Sequence, residues 1–209
     1  MIISMSFKIL AVTNSNLTAE DFLLRIKRIA ESNVDGVILR EKKLTEREYG
    51  DMASEVLKIC MDRGTHCILH SHFRVAEEYN CRRIHLPLLL LRDMNKTEVY
   101  KEYFHTIGVS THSVEEALEA EELGATYITA GHIFATDCKK GLKPRGLDYL
   151  SQVVKAVNIP VYAIGGIDES NVHLVKKTGA AGACIMSGIM TCQSPKEYVE
   201  KMKTATSFL

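Results

Sequence analysis

The chain has 209 residues, and its 26 basic side chains balance its 26 acidic ones. This length suits a single domain with a substantial core, residues 1–209, and the balanced charge argues against nucleic acid or an anionic membrane as a partner. The absence of a long apolar run, of a signal-peptide pattern and of Cys-x-x-Cys spacing among the six cysteines predicts a cytoplasmic protein with reduced thiols.

Short runs rich in β-branched residues alternate with longer amphipathic stretches along the whole chain. Each short run predicts a buried strand, and each longer stretch predicts a helix that packs on the strands. The predicted strands are residues 7–12, 36–40, 66–70, 83–86, 106–109, 127–130, 161–164 and 182–186.

Three of the intervening stretches have clear helical spacing of their apolar residues: 19–32, 46–62 and 113–123. In the third, Ala117, Leu118 and Leu123 are predicted to face the core. Small polar residues that can cap helices stand before three predicted helices, after strands two, five and seven, and two glycines stand where helices must end. These residues are Thr45, Ser113, Asp168, Gly124 and Gly179.

Eight strand–helix units in 209 residues, about 26 residues each, predict a compact α/β fold of the (β/α)8 TIM-barrel type. The alternative is an open, doubly wound sheet. No Gly-x-Gly-x-x-Gly motif follows the first strand, which disfavours a nucleotide-binding fold. In a barrel, the residues that follow the carboxyl ends of the strands carry the chemistry.

A polar, lysine-rich loop runs from Gly131 to Gly146 after the sixth strand, and a loop of this length is typical of a binding lid. Small-residue turns follow the last two strands. Their backbone N–H groups can approach a phosphate closely, although a tight turn alone would also explain the glycine pair. The predicted phosphate-binding residues are Gly165, Gly166, Ser187 and Gly188.

Five histidines fall at predicted strand ends, namely His70, His72, His85, His112 and His132. Imidazole titrates near neutral pH, so a histidine at the barrel mouth can accept and return a proton. His112, directly before the predicted cap Ser113, is the strongest acid–base candidate. A purely structural, hydrogen-bonded histidine is the ordinary alternative at each position.

The spacing His70-x-His72 also permits a metal site of a hydrolase, completed by His85 or His112. However, no carboxylate is obvious as a metal ligand at the neighbouring strand ends, and we predict no metal site.

Basic residues follow the second and sixth strands. Arg40 and Lys42 come after strand two, and Lys139 and Lys140 lie in the long loop. A solvated charge cluster is the default for such runs, but an arginine at a strand end can pair with a carboxylate or a phosphate through two hydrogen bonds. Together these residues favour an anionic small molecule as ligand.

Several segments resemble the thiamine phosphate synthase superfamily over essentially the whole chain. They are Leu39-Arg40-Glu41-Lys42, His85-Leu86, Gly108-Val109-Ser110-Thr111-His112-Ser113, Gly131-His132-Ile133-Phe134, Ala163-Ile164-Gly165-Gly166 and Met186-Ser187-Gly188-Ile189. The resemblance implies a (β/α)8 barrel, commonly a homodimer. It also implies one of two activities, because the superfamily contains true synthases and the similar thiazole tautomerases, the TenI-like proteins.

Departures from the synthase pattern favour the tautomerase branch. Synthases hold magnesium with aspartates after strands three and four, and the matching positions here are Ser71 and Leu90. The glutamine with which synthases grip the pyrimidine corresponds to Ile38. In the long loop, only Thr136 and Lys139 remain of the synthase Thr-Pro-Thr-Lys segment, and the loop resembles the tautomerase version.

The resemblance implies a thiazole tautomerase, an isomerase of thiamine biosynthesis that aromatises a carboxythiazole ethyl phosphate tautomer without a cofactor. His112 would move the proton. The substrate would be bound by Arg40, Lys42, His132, Thr136 and Lys139, in addition to the phosphate-binding residues. The alternatives are a thiamine phosphate synthase, which joins hydroxymethylpyrimidine pyrophosphate to thiazole phosphate, and a non-catalytic regulator that binds a phosphorylated ligand.

Overall fold

The protein is a closed barrel of eight parallel strands, with each strand hydrogen-bonded to the next and β8 to β1. A computed structural model describes residues 6–96, 102–136 and 141–207. The strands are β1 Lys8–Val12, β2 Gly36–Leu39, β3 Cys67–His70, β4 Arg83–Pro87, β5 Thr106–Thr111, β6 Tyr127–Gly131, β7 Val161–Ile164 and β8 Gly182–Ile185. The predicted TIM barrel is therefore confirmed, and the open doubly wound sheet is excluded.

Helices follow the strands and form the outer layer. In the described residues they are α1 Phe22–Ala30, α2 Glu46–Asp62, α3 Phe73–Glu78, α4 Leu88–Asn95, α5 Val114–Glu122, α6 Gly146–Ala156, α7 Val172–Lys177, α8 Ser187–Thr191 and α9 Pro195–Ser207. None of these described helices is long and apolar enough to cross a membrane.

Local sequence signals account for several helix boundaries. Thr45 caps α2 in a reciprocal capping box with Glu48, and the Ser113 side chain accepts from the Glu116 N–H at the start of α5. Gly124, directly beyond the end of α5, has a φ of 93°. These capping and stop predictions are confirmed.

Two local predictions are wrong. Asp168 does not cap α7, because its carboxylate accepts from the N–H and the hydroxyl of Ser170 in the preceding turn, and the helix begins only after Asn171. Leu118 does not face the core but is 45 % exposed, since the short helix α5 turns Ala117 and Ala120 inward instead.

The barrel buries apolar residues on both faces of its strands. One large cluster fills the space between strands and helices, and a smaller one fills the barrel interior. The interior cluster consists of Leu10, Val12, Ile38, Ile68, Tyr127, Tyr162 and Cys184. Inward-facing side chains thus close the barrel as a packed core, and the carboxyl ends of the strands remain open above it.

Candidate active site

A cavity of about 330 Å³ opens at the carboxyl ends of the strands. Eight of the residues predicted from the sequence as site residues line it: Arg40, Lys42, His112, His132, Thr136, Gly165, Gly166 and Ser187. Gly188 is not among the lining residues, and Lys139 lies outside the described residues, as does Lys140. Segments from most strands of the barrel therefore meet around one space of a size suited to a small molecule.

The glycine turn after β7 forms one wall of the cavity. Gly165 and Gly166 have φ angles of 105° and 65°, which residues with a side chain rarely adopt. A Cβ on Gly166 would lie 2.3 Å from the carbonyl oxygen of Ala135, and one on Gly165 would lie 2.6 Å from Cβ of His132. Both glycines therefore allow the segment after β6 to pack directly on this turn.

The same turn offers hydrogen-bond donors to a ligand. Within the described part of the chain, the backbone N–H groups of Gly165, Gly166 and Ile167 donate to no protein acceptor. The carbonyl oxygens at this turn are engaged, since Ile133 N–H donates to Ile164 and Phe134 N–H donates to Gly165, at 3.1 and 2.9 Å. A turn with free donors and paired acceptors is suited to an anion.

The turn after β8 is also built from small residues, Ser187 and Gly188. Ser187 is exposed and lines the cavity. A Cβ on Gly188 would lie 2.2 Å from the hydroxyl oxygen of Tyr198, so this glycine makes room for a tyrosine of α9. Packing against Tyr198 therefore requires glycine at position 188, and Ser187 is the residue of this pair that lines the cavity. Phosphate binding by the turn stays a prediction.

His112 stands at the junction of β5 and α5, on the rim of the cavity, and its side chain is exposed. Its backbone N–H donates to a carboxylate oxygen of Glu116 at 2.6 Å, while the Ser113 hydroxyl caps the helix that follows. The backbone of His112 is therefore fixed by the first turn of α5. The side chain can present an imidazole to a ligand and to solvent.

The other cavity-lining histidines of β3 and β4 are buried and neutral. Burial, reinforced by the charges of nearby His85 and Arg40, lowers the pKa of His70 to about 2. Burial, and then the charge of Arg40, lowers the pKa of His85 to about 3. The two rings stack with centroids 5.7 Å apart. Neither ring can serve as a proton carrier near neutral pH in this environment.

His72 does not join these rings. It lies beyond the end of β3, where its ring stacks on Tyr49 with centroids 4.1 Å apart. The structure thus separates the His70-x-His72 pair. Among the described residues, no group of three or more histidine, cysteine or acidic side chains is placed to hold a metal ion.

Glu41 lies in the charged run after β2, where the sequence predicts a solvated cluster, but it is buried at 5 % exposure. Its carboxylate accepts from the hydroxyls of Thr13 and Ser15, both at 2.7 Å, and from the Ser15 backbone N–H. The Thr13 oxygen in turn accepts from the Arg40 N–H at 2.9 Å. Glu41 therefore fixes the strand end from which Arg40 reaches the cavity, and it is the main site-supporting residue that the sequence-based reasoning missed.

His132 lies in the stem of the long loop. It is buried at 6 % exposure, and one ring nitrogen contacts the Leu142 carbonyl oxygen at 3.3 Å. The stem is closed by the N–H groups of Arg145 and Gly146, which donate to the carbonyl oxygens of His132 and Ile133. The imidazole thus joins the two sides of the loop next to the cavity.

The described residues around the cavity do not supply a donor set that suits magnesium. Mg²⁺ binds through carboxylate and phosphate oxygens, and no aspartate or glutamate is among the described lining residues. The Ser71 hydroxyl is hydrogen-bonded to a ring nitrogen of His70 at 2.7 Å, and Leu90 lies in α4, packed against the core. The residues at the positions expected for a metal therefore supply no carboxylate.

Comparison with known proteins identifies close relatives. Residues 9–189 match a family model described as thiamine monophosphate synthase. The thiamine-phosphate synthase of Fusobacterium nucleatum is 32 % identical over 196 residues, covering 93 % of this chain and 95 % of the relative. That of Pyrococcus horikoshii is also 32 % identical, over 94 % of this chain and 93 % of its own length.

A solved structure has the same fold over nearly the whole chain. The thiamine phosphate pyrophosphorylase from Pyrococcus furiosus superposes with a TM-score of 0.83 at 25 % identity, covering 97 % of this chain and 96 % of that one. The similarity therefore extends over the complete barrel and all eight strand ends that surround the cavity.

Proposed function

Because the chain belongs to the thiamine monophosphate synthase family, we propose that it is an enzyme of thiamine biosynthesis that acts on a phosphorylated thiazole as a tautomerase. The observation that carries this proposal is the composition of the cavity wall. An imidazole at the rim and free backbone donors at the glycine turn occur together with no carboxylate among the described lining residues.

The reaction is a proton transfer that makes the thiazole ring aromatic. His112 would remove the proton from the ring carbon that bears the carboxylate, and the electron pair would move through the ring to the exocyclic double bond. The imidazolium would then return the proton to the exocyclic carbon. Since His70 and His85 are buried, with pKa values far below neutrality, His112 is the better-suited histidine for both steps.

The two anionic groups of the substrate would be bound on different sides of the cavity. The N–H groups of Gly165, Gly166 and Ile167 suit the phosphate, and Ser187 lies on the next strand end. Arg40 and Lys42 would supply positive charge from the end of β2, and Thr136 and His132 would close the site from the long loop. Lys139 is proposed as a further contact from the same loop.

Thiamine phosphate synthase activity is the second candidate, and the names of the relatives favour it. That reaction releases pyrophosphate, whose charge magnesium would neutralise. Its weakness here is the donor set, because Ser71 and Leu90 replace the expected aspartates. A non-catalytic regulator would bind the product and turn nothing over.

The two activities separate in one set of assays. We expect the purified protein to convert the carboxythiazole phosphate tautomer to its aromatic form, followed by NMR. We expect no pyrophosphate release from hydroxymethylpyrimidine pyrophosphate and thiazole phosphate with Mg²⁺. Magnesium-dependent release of pyrophosphate with formation of thiamine phosphate would assign the synthase activity instead. Tight product binding without turnover would indicate the regulator.

Replacing His112 tests the mechanism. His112→Ala should lower kcat by a factor of about 10² to 10⁴, the usual contribution of a positioned acid–base group. The matched control is His105→Ala, an exposed histidine just before the opposite end of the same strand, which should retain full activity. An unchanged rate in His112→Ala would remove this residue from the mechanism.

A further inference from the structure

A buried chain of hydrogen bonds runs from the barrel interior to the cavity. One ring nitrogen of His85, Nδ1, is 2.9 Å from the hydroxyl of Tyr127, and the other, Nε2, is 2.9 Å from the hydroxyl of Ser110. The Ser110 oxygen also lies 3.4 Å from the hydroxyl of Thr129. Ser110 and Thr129 line the cavity, whereas Tyr127 belongs to the interior cluster beneath it.

The position of Tyr127 is specified by a glycine on the neighbouring strand. A Cβ on Gly108 would lie 2.0 Å from Cζ of Tyr127 and 2.2 Å from its hydroxyl oxygen. The phenol therefore occupies the space above Gly108, where any side chain would displace it. This packing brings the Tyr127 hydroxyl to His85 and to no other partner among the described residues.

This arrangement determines the direction of the hydrogen bonds. Burial raises the pKa of Tyr127 and lowers that of His85, so the phenol keeps its hydrogen and the imidazole carries only one. If Nδ1 donated to Tyr127, the phenol hydrogen would be buried without an acceptor, at a substantial free-energy cost. The phenol therefore donates to Nδ1, and Nε2 carries the ring hydrogen and donates to Ser110.

The consequence appears at the cavity surface. Ser110 and Thr129 carry two hydroxyl hydrogens, and at most one of them is used between the two oxygens. Because Ser110 accepts from His85, at least one hydroxyl hydrogen remains for a ligand. With the opposite tautomer, Ser110 would donate to His85 and would offer a lone pair to the cavity instead.

We propose that Tyr127 is a positioning residue that fixes the tautomer of His85 and thereby makes the Ser110–Thr129 pair a hydrogen-bond donor to the carboxylate of the substrate. This inference rests on the proposed function for the identity of the ligand, and it assigns the carboxylate to the ends of β5 and β6. The site selects for an acceptor group at this point and against a donor.

The tautomer can be measured on the ligand-free protein. In protein with ¹⁵N-labelled histidine, NMR should show His85 neutral at pH 7 with the hydrogen on Nε2. In Tyr127→Phe the preference should weaken, giving a mixed signal. A wild-type His85 with its hydrogen on Nδ1 would overturn the proposal. This measurement needs no turnover and is independent of whether the protein is a tautomerase.

Binding tests the consequence for the ligand. Carboxythiazole phosphate and the same compound without its carboxylate serve as probes, titrated by calorimetry. Ser110→Ala should weaken the first by about 10- to 100-fold, the range for a hydrogen bond to a charged group, and leave the second unchanged. Tyr127→Phe should weaken the first by about threefold or more and should also spare the second.

The matched control is Tyr162→Phe. Tyr162 is a buried tyrosine whose ring packs edge-on against Tyr127 at 5.4 Å, and it makes no hydrogen bond to His85. It should affect neither probe. Equal weakening of both probes by Tyr127→Phe would indicate a merely structural role and would overturn the inference, as would no effect on either probe.

Discussion

The two sides of the cavity use different parts of the polypeptide. At the end of β7, Gly165, Gly166 and Ile167 line the cavity, and their backbone N–H groups donate to no acceptor among the described residues. The close packing of this turn depends on the absence of side chains at the two glycines. At the ends of β3 to β6, the wall consists of imidazole and hydroxyl groups held by one another. One side is a backbone surface, and the other is a side-chain network.

This difference separates two tasks. A backbone surface can bind a phosphate of fixed geometry, and most substitutions nearby leave its donors in place. In a side-chain network, gain or loss of one hydroxyl changes whether the wall donates or accepts hydrogen bonds. Substitutions in such a network can therefore suit it to another ring or leaving group. Under the proposed function, substitutions in the side-chain network would change the reaction beside the phosphate and leave the phosphate contacts in place.

Among the substitutions considered, Gly166→Ala should disturb the backbone surface at the end of β7 most. The new Cβ would meet the Ala135 carbonyl oxygen at 2.3 Å, and the residue would have to keep a φ of 65°. We expect the free energy of unfolding to fall by about 2 to 4 kcal/mol, from overpacking and backbone strain combined, and affinity for the phosphorylated product to be lost. Urea unfolding and calorimetry measure the two effects.

Gly64→Ala is a close control for the strain alone. Gly64 has nearly the same φ, 66°, and no atom lies within 4 Å of the point that its Cβ would occupy. Its cost should be only about 1 kcal/mol, with product affinity unchanged. If Gly166→Ala lowered the unfolding free energy and the product affinity no more than Gly64→Ala does, the close packing of the β6 and β7 segments would not matter for stability or for binding.

The buried histidine of the side-chain network should make the free energy of unfolding depend on pH. His85 has a pKa of about 3 in the folded protein, against its usual 6.5, because burial opposes the charged form. Below pH 6.5 the unfolded chain binds a proton that the folded protein does not, so stability falls as the pH falls from about 6.5 toward 3. At pH 5 this one group should cost about 2 kcal/mol relative to pH 7.

His85→Gln removes the titrating group but keeps hydrogen-bonding capacity. In this variant the loss of unfolding free energy between pH 7 and pH 5 should shrink by about 2 kcal/mol, with urea unfolding as the measurement. The exposed His105→Gln variant should show the wild-type slope. An unaltered slope in His85→Gln would mean that this histidine is not held neutral by the fold.

Much of the barrel was predictable because its signals are local. The eight apolar runs predict strands within two residues of their observed ends, and Thr45 and Ser113 cap their helices as expected. The prediction that Asp168 caps α7 was wrong because residues that cap helices also stabilise tight turns. The Asp168 carboxylate accepts a hydrogen bond from Ser170 in the turn before the helix begins. The prediction that Leu118 faces the core was wrong because the short helix α5 buries two small residues, Ala117 and Ala120, and leaves Leu118 exposed.

The site was predictable at the level of strand ends but not of partners. Sequence order places Arg40 and His112 at the barrel mouth, and the structure puts both at the cavity. Sequence order does not reveal that the Glu41 carboxylate accepts hydrogen bonds from Thr13 and Ser15, because those residues lie 26 to 28 positions away along the chain. The link from His85 to Tyr127 spans 42 residues and depends on the space above a glycine.

Arg40 tests whether the side-chain wall also contributes charge. It reaches the cavity from β2, and its charge lowers the pKa of His85, which places it close to the network. Arg40→Gln should raise KM for the tautomer by about 10- to 30-fold with kcat nearly unchanged, because the lost interaction binds substrate and transition state alike. Arg40→Lys should recover only part of the affinity, since an ammonium cannot form the paired hydrogen bonds of a guanidinium.

Arg47→Gln is the matched control, because Arg47 is exposed on α2 shortly after the same strand end. It removes the same charge from the protein without touching the cavity, so any long-range effect on an anionic substrate appears in both variants and is screened by salt. A KM in Arg40→Gln that equals that of Arg47→Gln would show that the guanidinium acts only through net charge. A larger rise that persists at high salt would place Arg40 in direct contact with the substrate, as we expect.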